Sequence, residues 1–116
     1  MDGLSIGLAY EGMNDLADVL YFADLGAPEP DRVFAVYQTL LEANNMWAGT
    51  GGATLGLQQD TGWVVLAGRI DFESLSPESL VNLLGMFAQT ASAWKSFVDG
   101  THGVDDNAAP AFALRA

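Results

Sequence analysis

Cysteine is absent from this chain of 116 residues, and histidine occurs only once. The absence of cysteine excludes disulfides and thiolate metal sites, and it fits a reducing compartment such as the cytoplasm. The single histidine, His102, lies beside a glycine near the C-terminus, where a supported catalytic triad is not expected. We therefore expect no catalytic residue, no metal and no cofactor.

Basic residues are also scarce. Four of them stand against fifteen acidic residues, which gives a formal net charge of −11. Nucleic acid and anionic membranes are both recognised through lysine and arginine, so neither is an expected partner. A basic or apolar protein segment is favoured instead, although acidity can also serve solubility alone. The basic residues are scattered along the chain: Arg32, Arg69, Lys95 and Arg115.

Long apolar runs are missing as well. Stretches such as residues 19–23 are far shorter than the roughly 20 residues that a membrane-spanning helix needs. No positive charge followed by an apolar stretch opens the chain, so no signal peptide is expected. The length suits one domain, which we place at residues 1–100, and residues 101–116 are expected to form a flexible tail.

The apolar pattern predicts six elements in the order β-β-α-β-β-α. Alternation at residues 4–11 predicts a strand, a turn is expected over 12–18, and the apolar run 19–24 predicts a central strand. Apolar spacings of three, four and seven predict a helix that begins at Asp31 and ends at Asn44-Asn45. A flexible glycine link at 49–52 precedes a predicted hairpin over residues 53–70.

The last predicted helix begins at Ser76-Pro77-Glu78 and ends at Gly100. Serine is a favoured cap, proline suits the first helical position, and glycine often ends a helix. The fold class is therefore α+β, a twisted antiparallel sheet with helices packed on it. The helix has one apolar stripe, formed by Leu80, Leu84, Phe87, Ala91, Trp94 and Val98.

Candidate chemical sites are weak. Residues 49–52 lack the lysine and the hydroxyl residue of a phosphate loop, and the pairs Asp15/Asp18 and Asp105/Asp106 lack the spacing of a calcium loop. Asp71 and Glu73 are expected on the same side of a strand end, without an apolar pocket to raise a pKa. These patterns do not indicate an enzyme.

Tryptophan is the residue type that does indicate a function. Trp94 belongs to the helical stripe and is expected in the core. Trp47 lies beside glycines and Trp63 follows a turn, so both are hard to bury within one chain. Exposed aromatic side chains of this kind often mark a protein interface, although they can also cover the ends of a core.

Four segments, in this order, resemble the Tir chaperone (CesT-like) family of type III secretion chaperones. They are residues 20–26 (LYFADLG), residues 40–44 (LLEAN) with Trp47, residues 51–57 (GGATLGL) with 61–66 (TGWVVL) and Arg69, and the helix residues Leu83, Phe87, Ala91 and Trp94-Lys95. The resemblance spans residues 4–97. Members usually have an amphipathic helix and a further strand before the segment that matches residues 4–10, and here only three residues precede it.

The resemblance implies a small acidic chaperone of the bacterial cytoplasm that supports virulence. Such chaperones are homodimers that bind the N-terminal region of a secreted effector in extended form and help to deliver it to the export ATPase. An adaptor that binds a folded partner is the alternative. The implied dimer interface contains Val36, Leu40, Trp47, Leu55 and Leu57, and the expected effector-binding residues are Leu4, Ile6, Leu8, Trp63 and Val65.

Overall fold

The computed structural model describes residues 4–13 and 16–100. The predicted order β-β-α-β-β-α and the α+β class are confirmed. His102, the Asp105/Asp106 pair and the predicted tail lie outside the described residues. The elements are β1 (Ile6–Met13), β2 (Leu16–Gly26), α1 (Val33–Asn44), β3 (Thr54–Leu57), β4 (Val64–Asp71) and α2 (Pro77–Asp99), with short 3₁₀ turns at Pro30–Arg32, Asn45–Trp47 and Phe72–Ser74.

The four strands form one antiparallel sheet in the order β1-β2-β4-β3. β2 is central, as its apolar sequence predicts. The turn expected over residues 12–18 is shorter than predicted, because β1 continues to Met13 and β2 begins at Leu16. Alternate residues of a strand point to opposite sides of a sheet, and paired residues of neighbouring strands share a side. The sheet therefore has an inner face, which contains Ala23 and Leu66, and an outer face, which contains Phe22 and Ala67.

Both helices pack on the inner face and form one core with it. α2 contributes six of the fifteen buried apolar residues, more than any other element, and the indole of Trp94 is fully buried. The Nε1 of Trp94 donates a 2.9 Å hydrogen bond to the carbonyl of Gly49. The glycine segment 49–52 is therefore anchored at its start, and the flexibility of the rest of the link stays a prediction. The buried apolar residues are Ala23, Leu25, Val36, Leu40, Ala43, Ala53, Leu55, Val64, Leu66, Phe87, Ala88, Ala91, Trp94, Phe97 and Val98.

The two helices begin in different ways. Ser76 and Ser79 form a reciprocal capping box at the start of α2, and Gly100, at φ 79°, ends that helix as predicted. Asp31 does not cap α1. It lies within the Pro30–Arg32 turn, and no side chain caps the first turn of α1.

Arg32 joins the start of α1 to the end of α2. Its guanidinium donates hydrogen bonds to the carbonyls of Phe97, at 2.8 Å, and Val98, at 3.0 Å. The guanidinium also lies 5.6 Å from the centre of the Phe97 ring. A cation is favourable at this point because the carbonyls at the end of a helix lack helical partners and carry partial negative charge.

Two neighbouring aromatic side chains of β2 cover glycines on opposite sides of the sheet. The Tyr21 ring lies over Gly68 on the inner face, and the Phe22 ring lies over Gly7 on the outer face. A Cβ atom at either glycine would collide with the ring that covers it. The aromatic side chains thus fill the space that the glycines leave, a known way of stabilising glycine within a sheet.

Candidate protein-binding surfaces

Acid–base or metal chemistry finds little support in residues 4–13 and 16–100. No group of three or more His, Cys, Asp or Glu side chains in this part of the chain could hold a metal. Asp71 uses its carboxylate locally, because Oδ1 accepts a 3.2 Å hydrogen bond from the backbone N–H of Glu73. Burial raises the pKa of the Tyr21 phenol above its ordinary value of 10.0.

Apolar surface is the more informative feature, and much of it lies on α1 and β3. Phe34 is 81% exposed, Leu41 is 72% exposed and Leu57 is 49% exposed. We call this region the α1–β3 surface. It contains a groove of about 570 Å³, lined by Pro30, Val33, Phe34, Tyr37, Gln38 and Leu41. A second cavity, of about 170 Å³, adjoins it and is lined by Tyr37, Leu40, Leu41, Asn44, Leu55, Gly56 and Leu57.

The predicted dimer residues divide between the core and the outside of the protein. Val36, Leu40 and Leu55 are buried, Leu57 is exposed on the α1–β3 surface, and Trp47 is exposed in the turn that follows α1. The interface itself stays a prediction. The predicted interface residues do not include Phe34 and Leu41. The sequence does contain a signal for their exposure, because α1 has more apolar residues than one buried helix face requires.

Trp47 is held outside the core by an unusual backbone. Met46 and Trp47 have φ angles of 57° and 56°, in the left-handed region. Bulky residues rarely adopt this conformation, and each costs of order 1–3 kcal/mol. The helix ends at Asn44 as predicted, and Asn44 and Asn45 themselves have negative φ angles. Because Trp47 is more than half exposed, its side chain gains little burial within this chain in return.

The β3 edge of the sheet is closed by a side chain. The amide of Asn44 accepts a 2.9 Å hydrogen bond from the N–H of Leu55 and donates a 2.8 Å hydrogen bond to the carbonyl of the same residue. An added strand would need those two backbone groups. Asn44 therefore blocks strand addition at the centre of β3, one way in which proteins protect an exposed edge.

The opposite edge is β1, and it carries exposed apolar side chains on the inner face. Leu8 and Tyr10 are 52% and 66% exposed. The Tyr10 ring meets the exposed Phe72 ring edge-to-face, with their centres 5.6 Å apart. The helices do not cover this end of the inner face, so apolar surface remains available beside the β1 edge.

The expected effector-binding residues do not form one patch. Leu4 and Ile6 are partly buried against the core, and Leu8 shares the inner face with Ile6. Val65 lies on the outer face, because it pairs with Asp24. Trp63 is exposed just before β4, as predicted.

The comparison with known families is decided by a match over most of the chain. The model of the Tir chaperone protein (CesT) family matches residues 8–95. The chain belongs to that family. The match confirms the resemblance drawn from the sequence, and it makes the chain a type III secretion chaperone. The family is one of chaperones and not of enzymes.

Two further findings concern this CesT family member. No curated protein gives a significant match to the chain. In the described part of the chain, no helix is both long enough and apolar enough to cross a bilayer. The 23-residue helix α2 has the length, but its polar residues and its buried stripe assign it to the core.

Proposed function

We propose that this CesT family member is a homodimeric cytoplasmic chaperone that binds the N-terminal region of a secreted effector in extended form. The proposal rests on the apolar surface that a single chain leaves exposed at two separate places. One is the α1–β3 surface, and the other is the inner face beside β1. Large exposed apolar regions on a small protein mark sites of protein association.

The α1–β3 surface is the proposed dimer interface. Trp47 and Leu57 provide exposed contacts, and Val36, Leu40 and Leu55 support them from the core. Phe34 and Leu41 enlarge the apolar area along α1. In a two-fold dimer the same patch is used on both subunits, so grooves and projecting rings on one surface must complement each other.

The β1 edge is the proposed site of client binding. An extended segment can add a strand to an exposed edge, where backbone hydrogen bonds supply affinity and side-chain pockets supply selectivity. The Asn44 block at β3 leaves β1 as the longer and more accessible edge. Leu8 and Tyr10 would then contact every second side chain of the client, with Leu4 and Ile6 as their support.

Co-expression with exported proteins encoded near this gene tests the proposal. We expect one of them to co-purify with the chain through its N-terminal region, and the complex to hold two copies of the chaperone. Hydrogen exchange on the bound client should show slow exchange only where the client pairs with the sheet. A client protected as a folded globule would instead support the adaptor function, and failure of every neighbouring exported protein to bind would contradict both.

The proposed handover to the export ATPase needs a separate measurement. The client complex should bind the ATPase of the same secretion system, whereas the client alone should not. Pull-down with purified components separates these two cases. An ATPase that binds the client equally well without the chaperone would remove the delivery step from the proposal and leave client binding intact.

A further inference from the structure

The outer face of the sheet carries a regular pattern that dimerisation and strand addition do not use. Between residues 18 and 24 of β2, the residues on this face are Asp18, Leu20, Phe22 and Asp24, so two apolar side chains lie between two carboxylates. Neither helix packs on this face. Asp18 and Asp24 are six positions apart along the extended strand, a distance of about 20 Å.

The two ends of this row have an excess of negative charge. Asp18 pairs directly across the sheet with Asp71, and like charges in that position repel each other. Arg69 reaches Asp18 at 3.5 Å, and Glu11 pairs with Asp18 from the other neighbouring strand, so acidic residues outnumber basic ones at this end. At the other end, Asp24 is exposed and pairs with the apolar Val65. Each end of the row would therefore gain from one added cation.

The middle of the row offers apolar contact. Phe22 is 36% exposed, and its ring lies over Gly7. Leu20 lines a shallow depression of about 360 Å³ together with Gly52, Thr54, Ala67, Gly68 and Arg69. A side chain of moderate size fits such a depression, and the partly buried Val65 and Ala67 extend the apolar area next to it.

We propose that the outer face binds an extended client segment. Every second residue of this segment faces the sheet, and these four residues are, in order, basic, apolar, apolar and basic. The inference rests on the proposed function and names the chemistry of its client. An extended segment has the same two-residue repeat as β2, so such a segment places its side chains opposite Asp18/Asp71, Leu20, Phe22 and Asp24 in turn. Opposite charges at both ends then fix the register.

Charge and spacing argue against the other possible occupants of this face. A second copy of the chain would bring carboxylates against carboxylates, which opposes association. Nucleic acid is excluded by the same sign of charge. A helix rises 1.5 Å per residue, so its basic residues would have to lie about 13 residues apart to reach both ends. The extended segment needs a separation of only six.

Chemical-shift mapping by NMR on the full chain tests the proposal with a defined probe, the peptide Gly-Lys-Thr-Val-Ser-Leu-Thr-Lys-Gly. We expect the largest shifts at Leu20, Phe22 and Val65, and little change at Leu41. A peptide with glutamate in place of both lysines should bind at least about tenfold more weakly. Equal binding of the two peptides, or shifts confined to β1 or α1, would overturn the proposal. So would tighter binding of a helical peptide with lysines 13 residues apart.

Variants that each remove one negative charge provide a second test of the outer-face proposal. Asp24→Asn and Asp71→Asn should each weaken the lysine peptide by about two- to fivefold at low salt, and added salt should reduce the difference. Glu42→Gln removes the same charge from α1, on the other side of the sheet, and should leave the affinity unchanged. If all three variants weaken binding equally, the net charge of the protein explains the effect, and a specific site on the outer face is contradicted.

The same variants distinguish this inference from the proposed function. If a natural client co-purifies equally well with Asp24→Asn and Asp71→Asn, the chaperone function stands and the outer-face inference fails. If no exported protein binds but the peptide shows the expected register and charge dependence, the outer face is a binding site and the client proposal fails.

Discussion

The side-chain amide of Asn44 hydrogen-bonds both backbone groups of Leu55, at 2.8 and 2.9 Å. The last residue of α1 therefore occupies the place of a neighbouring strand at the centre of β3. This arrangement ties the helix to the sheet edge and at the same time removes that edge from intermolecular pairing. It leaves the sheet with one long accessible edge, at β1.

Asn44→Asp tests this role with almost no change in shape. The carboxylate still accepts from the N–H of Leu55 but loses the donor and repels the carbonyl, so we expect a loss of about 1–3 kcal/mol in the free energy of unfolding. Urea denaturation measures it. Asn45→Asp is the matched control, because that neighbour is exposed. Equal stability of the two variants would show that the amide bonds contribute little.

Arg32→Met should loosen the contact between the two helices. The guanidinium donates to the carbonyls of Phe97 and Val98 at a partly buried position, so we expect a cost of about 2–3 kcal/mol and a Tm lower by roughly 10 °C. Arg69→Met is the control, since that side chain is 60% exposed and its ion pair with Asp18 is worth at most about 1 kcal/mol. A Tm for Arg32→Met as high as that of Arg69→Met would contradict the capping role.

Thr50→Val should raise the stability. The Thr50 side chain is buried, and its hydroxyl meets no hydrogen-bond partner among the described residues. A buried hydroxyl without a partner costs about 1–3 kcal/mol, and valine has nearly the same shape, so we expect a gain of about 1 kcal/mol in urea denaturation. Thr39→Val should give no such gain, because the Thr39 hydroxyl already donates to the carbonyl of Ala35. A loss of stability in Thr50→Val would mean that its hydroxyl is satisfied.

Leu41→Glu should break the proposed dimer without unfolding the chain. The side chain is 72% exposed in one chain, so a charge there is tolerated by the monomer but costs several kcal/mol if the interface buries it. Size-exclusion chromatography with light scattering at micromolar concentration gives the mass. Met86→Glu is the matched control, since Met86 is 71% exposed on α2. A dimer that survives Leu41→Glu would move the interface elsewhere, and a monomeric wild type would contradict the dimer altogether.

The sequence predicts the elements of this fold well because their signals are local. Alternation gives the strands, the helical stripe of α2 gives its buried side, and Ser76 and Gly100 give its ends. The positions of Trp47 and Trp63 beside turns predict that both are exposed, and the structure shows both exposed. Each of these inferences needs only the residues within a few positions along the chain.

The contacts that build the surfaces are not local, and the sequence did not predict them. Asn44 and Leu55 are 11 residues apart, and Trp94 and Gly49 are 45 apart. Periodicity identified Val36, Leu40 and Leu55 as apolar positions, but it does not say whether a side chain packs on its own sheet or on a second chain. In the structure α1 packs on the inner face of the sheet, and all three side chains are buried within one chain.

The rings of Tyr21 and Phe22 over Gly68 and Gly7 have a consequence for how related sequences can vary. Each ring fills the space that a Cβ would need, so a larger residue at either glycine requires the ring to move aside or the aromatic partner to become smaller. Homologues should therefore show paired replacement at positions 21 and 68, and independently at 22 and 7. Two adjacent residues of one strand would then follow separate evolutionary histories, one tied to each side of the sheet.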